Sequence, residues 1–498
     1  MGAVVMPPPD RATLDGRAGI VAALREILPA DRVIVDERSL KPWESDAFTA
    51  YAQVPLVVVL PETTDEVSRI LACCHALNVK VVPRGAGTSL SGGALPLADG
   101  VLMSMMRFNR ILEIDFPNRT VVTQPGVTNL GLTRAVEHRG FYYAPDPSSQ
   151  IACSIGGNVA ENSGGVHSLK YGLTTNNVLG VELVLMTGEV LRLGGKHLDS
   201  EGYDLLGLVV GSEGLLGVVT EVTVRILKAP ETARAVLVSF DNVEAAGNAV
   251  ADVIAAGIIP GGMEMMDKPA INAAEDFVRV GYPRDAEALL IVELDGPAVE
   301  VDHLLARVEE IVRARGATDC RVSTSDAERL SFWAGRKAAF PAVGRISPDY
   351  LCMDGTIPRK ALPQVLTRMS ELAVHHGLRV ANVFHAGDGN LHPLILYDAN
   401  NPGELDRAEA FGADILRLCV AVGGVLTGEH GVGIEKRDLM PEMFDEVDLA
   451  HQMRVKCAFD GKQLLNPGKM FPVLHRCAEL GRLHVHAGQL PHPDLPRF

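Results

Sequence analysis

The sequence predicts an α+β protein built from two successive α+β domains and a short C-terminal segment. Three observations predict it. The 498 residues exceed a single fold at roughly 150 residues per domain. A composition 47% hydrophobic and 22% charged supplies apolar material for large cores and excludes a disordered chain. Helical and strand periodicities interleave throughout, with a change of punctuation at Lys228-Ala229-Pro230. The chain therefore divides into residues 1–228, 229–440 and 441–498, the last returning to the first domain.

In the first domain, Thr63-Thr64-Asp65-Glu66 is a capping box, and Val67, Ile70, Leu71, Cys74 and Leu77 follow at helical spacing. A strand at 79–82 runs into the loop 83–93. Strands at 120–124 and 181–186 flank a second loop rich in Gly and Asn. Across 218–226, Val218, Thr220, Val222, Val224 and Ile226 alternate with Glu221, Thr223 and Arg225, the pattern of a half-buried strand. In the second domain, strands at 233–240, 288–294 and 379–385 alternate with helices at 243–256, 299–315 and 360–376. That pattern predicts helices packed on an antiparallel sheet.

Forty-six basic against 62 acidic side chains give a net charge of −16. A nucleic-acid track is excluded, because phosphate binding needs clustered Lys and Arg. Any anionic ligand must be held by local cations working against the global field. Met1-Gly2 is followed by Met6 where a myristoylation signal needs Ser or Thr. The Pro-rich start has no basic segment leading into an apolar core, so no signal peptide is expected. Apolar runs such as 54–60 fall well short of the roughly 20 residues that span a bilayer. Eight cysteines, with no Cys-x-x-Cys pair, predict reduced, buried thiols in a cytoplasmic protein rather than a metal or iron–sulfur motif.

Glycines let a backbone approach a pyrophosphate and aim N–H groups at it. The loop 84–93 has four of them, with Thr88, Ser89 and Ser91 hydroxyls and one cation, Arg84. It is neither a Rossmann fingerprint nor a P-loop. A second patch runs from Pro145-Asp146-Pro147-Ser148-Ser149 through Gly156-Gly157-Asn158 to Gly164-Gly165, and a third is Gly211-Ser212-Glu213-Gly214-Leu215-Leu216-Gly217. Three such loops in one domain imply a long cofactor contacted mostly by backbone.

In the second domain, His385 and His392 flank Gly387-Asp388-Gly389-Asn390, a strong turn signal, so a hairpin would bring the two imidazoles together. Thr427-Gly428-Glu429-His430-Gly431 adds a carboxylate and a third imidazole on a loop. His385, His392 and Glu429 form a first shell for a divalent metal with open positions, and zinc, manganese and iron all suit it. His430, beside Glu429, is placed to act as general base. Arg336, on a helix, could clamp a carboxylate bidentately or form an ion pair. Asp354 reads as structural.

The order of the loops at 82–93, Gly156-Gly157-Asn158 and Gly214–Gly217 resembles the FAD-binding domain of the vanillyl-alcohol-oxidase-type flavoproteins. Covalent members attach flavin through a His in the first loop. No His lies between His75 and His138, so the resemblance implies non-covalent FAD. The FAD contacts it implies are Pro83, Arg84, Gly85, Ala86, Gly87, Thr88 and Ser89, then Pro145, Ser149, Gly156, Gly157, Asn162 and Gly164. Glu213, Gly217, Val219 and Asn466 complete the set.

The His and Glu motifs are similar to those of the FAD-linked D-2-hydroxyacid dehydrogenases, and the resemblance runs from about Trp43 to Lys469. The segments 333–345, 347–350 and 385–394 and the tail 474–479 carry it further. Leu351-Cys352-Met353 and Pro393-Leu394 stand where relatives acting on larger diacids have polar or cationic residues. A small monocarboxylate, glycolate or D-lactate, is therefore the expected substrate. The resemblance also implies partner subunits, one bearing iron–sulfur clusters, that carry electrons towards membrane quinone, with peripheral membrane association at most. Three other readings compete: a D-lactate dehydrogenase working without partners, a metal-dependent hydrolase, and a non-catalytic flavin-binding subunit.

Overall fold

A computed structural model describes residues 6–197 and 202–472; the tail motif at 474–479 lies outside them. The first helix of consequence, Thr64–Leu77, forms for the reason its sequence gives. Thr63 Oγ1 accepts from Glu66 N, Glu66 reaches back to the Thr63 backbone, and Asn78 ends the helix at φ 54° in the left-handed region. Its buried face, Val67, Ile70, Leu71 and Cys74, packs on Val57, Val59, Val81 and Val101. Those valines belong to a four-stranded sheet in which Lys80–Arg84 pairs in parallel with Gly100–Ser104. Arg84 is the last residue of its strand, so the first Gly-rich loop leaves directly from a sheet edge.

A second, five-stranded sheet is antiparallel throughout, with Val218–Arg225 at its centre. Burial alternates along that strand as the sequence pattern requires. Val222 and Val224 face Ile155 and Val159 of the helix Ile155–Glu161, which holds the second Gly-rich loop against the sheet. The neighbouring strand runs Val178–Val184, starting three residues before the expected 181.

The second domain is built on a seven-stranded antiparallel sheet. Its order is Ala317–Val322, Thr232–Phe240, Ala288–Gly296, Gly262–Asp267, Arg379–His385, Asn390–Tyr397 and Asp349–Cys352. Alternate residues feed two cores: Val236, Val238 and Phe240 pack under the helices Val243–Ala255, Ala298–Ala314 and Leu362–His376, while Ala235 and Leu237 pack under Lys268–Val278 and Asp326–Lys337. Coverage of both faces explains why the central strands read as continuous apolar runs rather than alternating ones. Cutting Phe240, which is fully sealed, to Ala would cost about 3–5 kcal/mol.

The end of the chain returns to the first sheet. Val81 N donates to Leu464 O at 2.8 Å and Asn466 N to Val81 O at 2.7 Å, so Leu465 bridges the open edge beside Lys80–Arg84. Phe48 and Leu95 of the first domain join the larger core of the second. Among the described residues no helix is long and apolar enough to cross a membrane, and the seven described cysteines are free.

Candidate active site

A cavity of about 540 Å³ runs from the Gly-rich loops of the first domain to the imidazoles of the second, within the range of cofactor sites. At its first end, the N–H groups of Ala86, Gly87, Thr88 and Ser89 find no acceptor among the described residues. Ala86 is exposed, but Gly87, Thr88 and Ser89 are half-buried, and such amides are normally paired. Four free ones in a row are therefore a ready anion cradle. Gly87 has φ +73°, and a Cβ there would strike the Arg84 guanidinium at 2.2 Å. A Cβ on Gly156 would meet Pro125 Cβ at 2.5 Å. Arg84 donates from Nη1 to Ser45 O at 2.8 Å and lies over Trp43, so the cation expected beside the loop is locked in place. The donor set fits the pyrophosphate and adenosyl arm of FAD.

Of the FAD contacts expected from sequence, Pro83 to Ser89, Ser149, Gly156, Gly157, Glu213, Gly217 and Val219 line the cavity. Pro145, Asn162, Gly164 and Asn466 are not among the lining residues. Pro145 O accepts from Asn129 Nδ2, and Asn162 Oδ1 accepts from Thr175 N. Gly164 leaves room for Glu429 Oε2, which an added Cβ would meet at 2.6 Å. Asn466 Nδ2 donates to Glu213 O at 2.7 Å and Gly93 O at 3.1 Å. These four hold the wall from behind.

At the other end, the Arg379–His385 and Asn390–Tyr397 strands form the expected hairpin. His385 pairs with Asn390 and Val383 with His392, so both imidazoles project from one face. Their ring centroids are 4.9 Å apart. Glu429 Oε1 lies 3.1 Å from His385 Nε2 and 3.3 Å from His392 Nε2. The loop that delivers Glu429 is folded around Asp354, which is fully buried. Asp354 accepts from Thr427 Oγ1 at 2.6 Å, from Gly428 N at 3.0 Å, from His430 N at 2.9 Å and from Lys436 Nζ at 3.3 Å. Its structural part is to hold that loop. His430 then stacks on His392, with centroids 4.8 Å apart and planes 7° from parallel.

Electrostatics separate the roles. Burial would raise the Glu429 carboxyl, but the imidazoles of His385, His392 and His430 outweigh it and hold it at about 2. Burial also lowers His430, and His392 and Lys436 add to it against Asp354, leaving the imidazole at about 4 and neutral near pH 7. Its Nδ1 is sealed without a partner among the described residues, which leaves Nε2 as the nitrogen able to act in the cavity. Burial opposes protonation of His385, yet Glu264 and Glu429 on its two nitrogens raise it well above the ordinary value.

Two groups bring three donor atoms within 4.8 Å: His385, His392 and Glu429, and Asp354, His392 and His430. Asp354 is already consumed by backbone amides and Lys436. The Glu429 set has spare lone pairs, and Glu264 Oε1 sits 2.6 Å from His385 Nδ1, the outer carboxylate that fixes a ligating imidazole. The first set therefore fits a divalent ion better.

Arg336 is 2% exposed and is absent from the cavity lining. Nε donates to Glu264 Oε2 at 2.7 Å, and Nη2 lies equally close to the same oxygen without an aligned hydrogen bond. The guanidinium thus steadies Glu264, and through it His385. A surface ion pair is ruled out by that burial. Lys337, Phe340 and Glu161 do line the cavity, and sequence reasoning missed them, as it missed Glu264. The halves are also joined by His167, whose Nδ1 lies 2.9 Å from Asp146 and Nε2 3.2 Å from Glu293. Arg329 and Trp333 complete the Glu293 shell at 3.0 and 2.6 Å.

The chain is similar to known proteins over both of its halves. Residues 55–194 match the FAD binding domain family, and residues 229–470 match the C-terminal domain of FAD linked oxidases. The chain is 58% identical over 482 residues to glycolate oxidase subunit GlcD of Escherichia coli (strain K12), covering 97% of each. It is 40% identical to the Bacillus subtilis (strain 168) protein of the same name, over 86% of this chain and 92% of that one. A D-lactate dehydrogenase of Anaerostipes hadrus is 32% identical over 91% and 97% of the two chains. In three dimensions, p-cresol methylhydroxylase superposes with a TM-score of 0.78 at 17% identity, covering 95% of this chain and 99% of that one. That likeness assigns the vanillyl-alcohol-oxidase-type fold.

Proposed function

The chain belongs to the FAD-linked oxidases, and from that premise we propose that it oxidises a small 2-hydroxy acid, glycolate to glyoxylate, with D-lactate to pyruvate as the second substrate. The observation that carries the reading is His430 stacked on His392 beside a three-ligand cluster, at the end of a cavity whose other end presents four free amides. FAD, when bound, supplies the two-electron oxidant for the substrate's α-hydrogen. A divalent ion on His385, His392 and Glu429 would supply Lewis acidity for the substrate hydroxyl.

The chain's own groups supply the rest. His430 Nε2 takes the hydroxyl proton, a role for which a neutral imidazole is required. Arg336 acts from behind, holding Glu264, and Glu264 keeps the imidazole of His385 oriented. Phe340, whose ring lies 6.4 Å from that of His392, restricts the space beyond the α-carbon and so favours small acids.

We divide the chain into an FAD-binding domain at 1–228, a substrate and metal domain at 229–440 and a returning segment at 441–498. Electrons leave through partner subunits, one bearing iron–sulfur clusters; the relatives named as glycolate oxidase subunits support a multisubunit enzyme. The proposed location is cytoplasmic, at the inner face of the membrane through those partners.

A visible spectrum of the purified chain tests the cofactor, and substrate bleaching under anaerobic conditions tests the reaction. Flavin bands should be present and should fade with glycolate faster than with bulkier diacids. Absence of flavin would sink the reading.

A further inference from the structure

Glu161 closes the helix Ile155–Glu161 and lines the cavity. Its carboxyl lies between the first Gly-rich loop and the His430 loop. A Cβ added at Gly93 would meet Oε1 at 2.6 Å, and one at Gly431 would meet Oε2 at 2.0 Å. Both glycines are thus needed to make room for it. Oε2 is sealed and has no hydrogen-bond partner among the described residues.

The charged groups around it are engaged elsewhere. Glu213 shares the Gly431 side but accepts from Val432 N at 2.6 Å and Gly433 N at 2.8 Å. Asp46 accepts from the amides of Phe48 and Ala94. Lys436 Nζ donates to Gly431 O, Thr427 and Asp354, and Lys469 Nζ to Leu95 O and Asn466 Oδ1. Two carboxylates facing one glycine resist joint ionisation. Glu213 has the donors that favour charge, and Glu161 does not. Burial first, then Glu213 and Asp46, raise the Glu161 pKa well above the ordinary value.

Gly431 follows His430 in the chain and Gly93 ends the first Gly-rich loop, so this carboxyl sits where the reacting end of the cavity meets the anion cradle. We propose that Glu161 is a carboxylic acid that donates a hydrogen bond to a carbonyl oxygen or ring nitrogen of the bound flavin. It is then a cofactor-contacting residue, and the inference rests on the FAD reading above. A neutral donor at this point leaves the cavity's negative charge unchanged, where a second carboxylate beside Glu213 would repel an electron-rich reduced ring.

Glu161→Gln and Glu161→Leu, each loaded with FAD, test the assignment. The Gln amide still donates, so E161Q should hold FAD within about threefold of wild type with its visible bands in place. E161L should loosen FAD by about tenfold and shift those bands. Infrared spectra of the FAD-loaded wild type should contain a protonated-carboxyl carbonyl band that E161Q lacks. E161L with unchanged affinity and bands, or E161Q as impaired as E161L, would overturn the inference while FAD binding by wild type stood. Should E161L fail to fold, the infrared difference decides alone, and no such difference overturns the assignment. A wild-type chain that takes up no FAD would overturn the functional reading itself.

Discussion

The two ends of the cavity solve opposite problems. At the first end the protein uses almost no charge: free amides at Ala86 to Ser89, glycines without Cβ, and one immobilised Arg84. At the second end, His385, His392, Glu429, Glu264, Asp354 and Arg336 crowd together as buried ionisable groups. Backbone donors cannot titrate, so the first end holds its ligand with little dependence on pH. Side-chain charges can be polarised, exchanged for a metal or used to move a proton, and the second end needs that freedom. In a chain of net charge −16, anion binding is achieved locally, by dipoles at one end and by compensated charge at the other.

Substitutions should separate the two ends. His430→Ala should slow flavin reduction by about 10²–10⁴-fold, the usual loss for a general base, and leave FAD content unchanged. Rapid mixing with glycolate, with FAD released and quantified from the same sample, checks both halves of that statement. Equal reduction rates would remove His430 as base. Gly156→Val should act in the opposite sense, because its side chain must occupy the space of Pro125. FAD retention through gel filtration should fall by tenfold or more, roughly the loss of one well-made contact, while metal content holds.

Glu264→Gln should weaken metal retention by about 10–100-fold, as loss of an outer carboxylate does, and should spare FAD. Metal analysis after dialysis against a weak chelator measures it. The smallest effect lies at the seam between the halves. Burial lowers His167, but Asp146 and Glu293 outweigh it and raise its pKa well above 6.5. The folded state thus holds this proton more tightly than the unfolded state. That contribution to stability is complete below about pH 6.5 and is lost as pH climbs through the raised value. Urea midpoints from about pH 6 to pH 9 should fall for wild type more than for His167→Gln; parallel curves would assign His167 no such linkage.

What the sequence made legible was local. The loop 84–93, the capping box at Thr63 and the hairpin between His385 and His392 are each specified by neighbours a few residues apart. The second layer was not legible, because its partners are distant: Glu264 and His385 are 121 positions apart and His167 and Glu293 are 126. Only the fold of the seven-stranded sheet brings Glu264 beside His385, and no local periodicity encodes that pairing. Arg336 illustrates the same limit. Its helix was foreseen, but whether the guanidinium met solvent, substrate or a carboxylate depended on which strand lay beneath it. Glu161 stood within a recognised Gly-rich loop, yet its meaning arises only from the approach of Gly431 and Glu213.

The central claim is that one end of the cavity binds the flavin and the other performs the chemistry. Anaerobic titration of the purified chain with glycolate, before and after a chelator has stripped its metal, tests this most directly. The account predicts that FAD is retained in both samples and that bleaching is fast only in the metal-loaded one. Flavin that bleaches at the same rate in both, or that stays oxidised with glycolate and D-lactate alike in the loaded sample, would contradict it.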